Sequence, residues 1–236
     1  MERTPTLHAD EVAWIDTAQM REIDRIMIDE LHIELVQMME NAGRSLARLA
    51  LDRFGTRHPT VCVGPGGNGG GGLVAARHLA NAGVEVTVVL AAARDRFAPV
   101  PVHQLDAVER MGTSIVEVAP AAGPDLWIDA VIGYSLRGDP RERPARIIEA
   151  MNRSTAPVLS LDAPSGLDTA TGRIADPAVD ATATMTLALP KTGLRDAPTV
   201  GELHLADISV PPSVYERMGV RPVTLGPGVI ARVEGL

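Results

Sequence analysis

Apolar positions along the 236 residues of this chain fall into two periods. Short runs of aliphatic and β-branched residues recur at 60–63, 85–90, 114–118, 126–129 and 157–161. Glycine, proline or charged residues bound them, so they predict buried strands. Between them apolar residues return every three or four positions, the helical period. A helix over 17–29, capped by Asp16 or Thr17, puts Met20, Ile23, Ile26 and Met27 on one face. A second, over 34–54, carries a stripe of Leu35, Met38, Met39, Ala42, Leu46, Leu49 and Ala50. That stripe reads as core rather than as a cofactor box. Gly43 within it predicts close approach of another backbone, and Gly55 ends the helix. The pattern turns helical again at Leu73, with Leu73, Ala76, Leu79 and Ala80 on one face, and then at 100–111 and 144–152. Two further strands, 182–189 and 202–205, have no helix between them and predict a hairpin-like ending. The expectation for 1–15 is an irregular arm. From Pro211 onward it is a short helical piece and then an extended end.

Strands alternating with helices at this spacing specify an α/β fold: a three-layer αβα sandwich around a Rossmann-like, mostly parallel sheet. Right-handed crossovers favour the strand order 3-2-1-4-5, counting from 60–63. The first strand then lies beside the fourth. Ligands of such sheets bind at the carboxyl ends of the strands, at this switch point. No repeat, low-complexity linker or composition break interrupts 1–236, so a single domain is expected.

Composition narrows the partners. The net charge is −8 with no basic run, and aromatics are only 3%, which argues against nucleic acid. No apolar run reaches membrane-spanning length. The polar, acid-containing start does not resemble a signal peptide, so a cytoplasmic location is expected. The single cysteine, Cys62, falls inside the first strand and reads as a buried structural thiol.

The chemistry gathers at the predicted strand ends. After the first strand comes Gly64-Pro65-Gly66-Gly67-Asn68-Gly69-Gly70-Gly71-Gly72. It fits G-x-G-x-x-G, and a glycine loop before a helix offers backbone N–H groups to an anion such as phosphate. The ribose-binding acid of a dehydrogenase is missing: the next strand runs into three alanines, and Asp95 comes late. The plain alternative is a turn that only packs a helix against a strand. The fourth strand ends in Asp129 and the fifth in Asp162, followed by Ser165. Asx turns at the two aspartates and a simple turn at Ser165 are the bland readings. Taken together, an amide, two carboxylates and a hydroxyl at adjacent strand ends suit a hard cation and a proton-transferring carboxylate. The six histidines are scattered, no Cys/His spacing suggests zinc, and no G-x-x-x-x-G-K-[ST] is present.

These motifs resemble the YjeF N-terminal domain family, whose enzymes are NAD(P)H-hydrate epimerases. The family shows G-P-G-N-N-G-G-D-G followed by L-V-A-A-R-H-L, matched here by residues 64–72 and 73–79. Its D-A-x-x-G-x-x-x-x-G is matched by Asp129, Ala130, Gly133 and Gly138, and its D-x-P-S-G-x-D by residues 162–168. Its late P-K-x-G is matched by Pro190, Lys191, Thr192 and Gly193, and Met39-Glu40-Asn41-Ala42-Gly43 also fits.

The resemblance, over roughly residues 14 to 212, implies a cofactor-repair epimerase. It would interconvert the R and S epimers of hydrated NADH and NADPH (NADHX and NADPHX) so that a separate, stereospecific dehydratase can restore the pool. By position, Asn68, Asp129 and Ser165 resemble potassium ligands, and Asp162 resembles the catalytic, substrate-contacting carboxylate. Gly67, Asn68, Gly69, Gly70 and Gly71 resemble one wall of the dinucleotide site. Gly133, Tyr134, Ser135, Leu136, Arg137, Gly138 and Asp139 resemble the other. Arg137 and Lys191 are candidates to neutralise phosphate, and a homodimer through the two early helices fits relatives. Gly67 and Gly71 replace the family's first loop Asn and its loop Asp. A lost charge-assisted hydrogen bond weakens binding by about 1.5–3 kcal/mol, and added glycine loosens a loop. The competing reading is therefore a diverged, non-catalytic protein that binds a nucleotide-like ligand or a protein partner. An ordinary NAD(P)-dependent oxidoreductase ranks below both.

Overall fold

The computed structural model describes residues 4–120, 123–226 and 228–236. Its strands are β1 (Thr6–His8), β2 (Pro59–Val63), β3 (Thr87–Leu90), β4 (Ser114–Val116) and β5 (Leu126–Ala130). They continue with β6 (Val158–Leu161), β7 (Ala183–Leu187), β8 (Glu202–Ala206) and β9 (Ile230–Glu234). The helices are α1 (Thr17–Arg25), α2 (Leu35–Leu49), α3 (Gly67–Asn81), α4 (Pro99–Arg110), α5 (Glu142–Arg153) and α6 (Pro212–Arg217). Among the described residues one nine-stranded sheet forms, in the order β1-β9-β8-β7-β6-β5-β2-β3-β4. Every pair is parallel except β8 with β9. The expected 3-2-1-4-5 order is thus present as β4-β3-β2-β5-β6, with β2 hydrogen-bonded to β5.

Side-chain alternation assigns the layers. Val61, Val63, Ile128, Ala130, Leu159 and Leu161 pack against Leu46 and Leu49 of α2, Leu73 and Leu79 of α3, and Leu105 and Val108 of α4. Cys62, Trp127 and Val131 point to the other face, against Ile147, Ile148 and Met151 of α5. Leu203 and Leu205 of β8 join α1 and α6 in a third cluster. Helices therefore cover both faces, and β2 and β5 are buried along their whole length. Cys62 is a fully buried thiol, as expected, and burial pushes its pKa up.

Capping follows the sequence. Asp16 caps α1 by accepting from the Gln19 N–H at 2.7 Å, while the Gln19 side chain returns a bond to the Asp16 N–H at 2.9 Å. Gly55 closes the helical segment that continues from α2 with φ of 59°.

Three expectations need correction. The arm expected over 1–15 is not irregular where it is described, since β1 pairs with β9; residues 1–3 lie outside the described residues. A three-residue strand shows no period, and its partner lies at the other end of the chain. The short helical piece and extended end expected from Pro211 are present as α6 and β9, with Pro227 outside the described residues. β7 and β8 are parallel, not a hairpin. The connection 188–201, with one 3-10 turn at Thr192–Leu194 and no α-helix, is long enough to recross the sheet, which no hairpin turn requires.

The third correction concerns the glycine stretch. Helix α3 begins at Gly67, not at Leu73, and Gly69–Gly72 are buried helical residues rather than a loose loop. A Cβ at Gly69 would run into the Gly64 carbonyl, and one at Gly72 would meet Ala130 of β5 at 2.6 Å. A Cβ at Gly43 of α2 would meet Gly71 O at 2.6 Å, the close backbone approach expected there. The glycines let α3 sit against β2, β5 and α2 at once.

Candidate functional site

Strand ends and three helices enclose a cavity of about 330 Å³ at the carboxyl edge of the sheet. Met20 of α1 and Leu35, Met38, Met39 and Ala42 of α2 form its apolar wall. The methionine stripe is therefore core along part of its length and cavity wall along the rest. Gly67, Asn68 and Gly71 contribute the start of α3, and Gly133, Tyr134 and Ser135 the segment after β5. Asp162 enters from the end of β6 and Lys191 from the segment after β7.

Asp162 holds a left-handed backbone, φ 67°, at the turn out of β6, with its N–H bonded to Met185 O at 2.7 Å. Aspartate tolerates this region better than most residues. Its carboxylate is ion-paired with the Lys191 ammonium. Lys191 has no exposed surface at all, and it also donates to Leu187 O at 2.9 Å. Lys191 is therefore not available to neutralise a phosphate, contrary to the sequence expectation. The segment ahead of α1 pins this lysine: Ile15 bridges to Lys191, with Thr192 N donating to Ile15 O at 2.9 Å.

A second polar pair faces the same cavity. Tyr134 Oη donates to Asp24 Oδ2 at 2.6 Å. Burial pushes the Asp24 carboxyl above its usual range, against the opposing pull of the Tyr134 hydrogen bond and the Lys191 charge. Burial beside Asp24 also raises the Tyr134 hydroxyl. Sequence reasoning named Tyr134 but missed Asp24. The available signal was an acid four residues after Met20, one helical turn along the apolar stripe.

Asp129 and Ser165 lie behind this cavity, not on it. Asp129 shares the β5 face of Trp127, opposite Ile128 and Ala130, and is in register with Ser160 of β6. It is fully buried and accepts from Ser160 Oγ (2.9 Å), Ser165 N (2.8 Å), Ser165 Oγ (2.5 Å) and Val131 N (3.2 Å). The Val131 bond is the Asx turn of the bland alternative, but the other three tie β5 to the end of β6. Among the described residues no Lys, Arg or His pairs with Asp129, and burial raises its pKa. The amide nitrogen of Asn68 is buried without a partner, beside Gly133. That nitrogen is a donor and cannot ligate a cation; the side-chain oxygens of Asn68, Asp129 and Ser165 are the groups of a type that suits a hard monovalent cation.

The remaining expected residues divide. Gly69 and Gly70 are buried in α3, facing Gly64 and Met39 respectively. Leu136, Arg137, Gly138 and Asp139 lie in the loop beyond the cavity; Arg137 is exposed, and Asp139 pairs with Arg173 at 3.0 Å.

The family model described as YjeF-related protein N-terminus matches residues 35–193. An NAD(P)H-hydrate epimerase of Dehalogenimonas lykanthroporepellens is 44% identical over 222 residues, covering 92% of this chain and 90% of that protein. A bifunctional NAD(P)H-hydrate repair enzyme Nnr of Salinibacter ruber is 36% identical, covering 86% of this chain but 42% of its own length. The chain thus spans about two fifths of such bifunctional relatives. The crystal structure of yeast ynu0, YNL200c, superimposes with a TM-score of 0.81 at 23% identity, covering 93% of this chain and 99% of that one. No helix among the described residues is long and apolar enough to cross a membrane.

Proposed function

This chain belongs to the YjeF-related protein N-terminus family, and we propose that it is an NAD(P)H-hydrate epimerase interconverting the R and S epimers of hydrated NADH and NADPH. The observation that carries the proposal is the buried Asp162–Lys191 pair on the wall of a mostly apolar cavity. Epimerisation requires the C6 hydroxyl to leave as water and return through a planar, iminium-like ring. A carboxylate facing that ring stabilises the developing positive charge and moves a proton. The apolar methionine wall lowers the local polarity, which strengthens both effects.

The cavity, at about 330 Å³, is small for a ligand site, so it takes the hydrated nicotinamide half of the cofactor. The diphosphate then rests on the N–H groups at the start of α3, where no helical acceptor precedes Gly66. The remainder follows the 133–139 segment. Asn68, Asp129 and Ser165 would hold a potassium ion. Its charge would offset buried Asp129 and link α3, β5 and the turn after β6. The dehydratase that consumes the product is the functional partner. Gly71, which lines the cavity with no side chain, favours a second reading in which the protein binds such a ligand without converting it.

Coupling to an S-specific dehydratase tests the proposal. The dehydratase alone stalls once the S share of a mixed NADHX pool is spent. Adding this protein takes the pool to completion, and Asp162→Asn slows that second phase by at least about 100-fold. An unchanged plateau with folded wild-type protein overturns the proposal.

A further inference from the structure

Moving a hydroxyl from one face of a planar ring to the other makes a demand that one fixed carboxylate does not meet. Water leaves from one face and adds to the other. Each face therefore needs a group that gives a proton to the departing oxygen or takes one from the arriving water. Asp162 is fixed by its turn and by Lys191, so it serves one direction. The cavity holds one other hydrogen-bonded acid among its described residues, and it comes from different elements: Asp24 from α1 and Tyr134 from the segment after β5.

We propose that the Asp24–Tyr134 pair is the second proton-transfer group of the site, serving the ring face opposite to Asp162. This rests on the epimerase reading and deepens it. Starting from the epimer whose hydroxyl faces Tyr134, the pair gives up one proton to that hydroxyl. The C6–O bond breaks with both electrons on oxygen, and water departs. The N1 lone pair forms the N1–C6 π bond of the iminium. A water on the opposite face then adds its lone pair to C6 and loses a proton to Asp162, while the π electrons return to N1. The pair ends one proton short and Asp162 one proton richer. Exchange with water, or the reverse turnover, restores both. No oxidant or reductant is needed.

The surroundings support this division. Burial pushes the Asp24 carboxyl above its usual range, which disfavours its charged form. The other charged groups acting on the pair are Asp162, Lys191 and Arg21. Asp24 and Asp162 therefore influence each other across the cavity. The Ile15–Lys191 bridge ties the segment ahead of α1 to the lysine that pairs with Asp162.

The test separates inversion from exchange. Each resolved epimer of NADHX is incubated with wild type, Asp24→Asn, Asp24→Glu and Tyr134→Phe in water enriched in heavy oxygen. Conversion and label at C6 are both followed. The wild type should convert and incorporate label. Asp24→Asn keeps the shape and the Tyr134 hydrogen bond but carries no transferable proton. It should convert at least about 100-fold more slowly, with KM within about threefold, while one epimer still takes up label with retention through Asp162 alone. Asp24→Glu should recover part of the conversion, and Tyr134→Phe should resemble Asp24→Asn. Conversion within threefold of wild type in folded Asp24→Asn overturns the proposal. So does loss of label uptake and conversion together. A wild type that neither converts nor exchanges is a different failure, that of the epimerase reading itself.

Discussion

Lys191 carries its charge to a point with no exposed surface, where it is ion-paired with Asp162. Removing one member of such a pair leaves the other buried and unpaired, which costs about 3–5 kcal/mol. Lys191→Met should therefore lower the unfolding free energy by about that amount in denaturant titrations, as well as impair the site. Asp24 makes a prediction of opposite sign. Its folded pKa is raised, so ionising it is harder in the folded protein than in the unfolded chain. The penalty is absent below the unfolded value and grows as pH rises from there to the folded value. Asp24→Asn should then be more stable than wild type at neutral pH, with the advantage shrinking as the solution is acidified. Thermal midpoints across pH measure this. At this scale the sequence showed Asn68, Asp129, Asp162 and Ser165 because strand ends are recognisable. It did not show that Asp129 faces away from the cavity, since that depends on which face each β5 position takes. Nor did it show that Lys191 is consumed by an ion pair formed across 29 positions of chain.

Helix α3 is where sequence and structure part most. Its glycines suggested a loop, because glycine is a poor helix former. Packing overrides propensity here: α3 lies too close to β2, β5 and α2 for side chains at these positions. The consequences differ from one position to the next. Gly69→Ala presses a methyl group into the Gly64 carbonyl, a backbone atom that cannot yield, and should cost at least about 3 kcal/mol. Gly71→Ala meets only the tip of Leu161 at 2.8 Å. Its better helix propensity, about 1 kcal/mol, offsets a small shift of that side chain. Its stability should stay within about 1 kcal/mol of wild type, as chemical denaturation of both variants would show. The regular strands β2 to β6 were legible because each is a continuous apolar run. The short edge strand β1 and the late strand β9 were not, because their pairing joins the two ends of the chain.

For the whole molecule, the strand order was legible from the alternation of elements, and with it the edge where the cavity opens. The parallel continuation through β7 and β8 was not, because no helix marks that crossover. The proposed potassium ion would act at this scale by joining two strand ends to a helix start. A ligand that binds only the folded protein, at one hundred times its Kd, adds about 2.7 kcal/mol. Potassium should raise the thermal midpoint by several degrees more than sodium at equal ionic strength, and Asp129→Asn should abolish the difference. The central claim concerns chemistry at one carbon, and its most direct measurement is the fate of a single epimer. Chirally resolved (R)-NADHX is incubated with the protein in potassium buffer and followed by chromatography. The account predicts that the S form appears well above the spontaneous rate until the two epimers equilibrate. An R form that changes no faster than in buffer, with the protein folded, would contradict it.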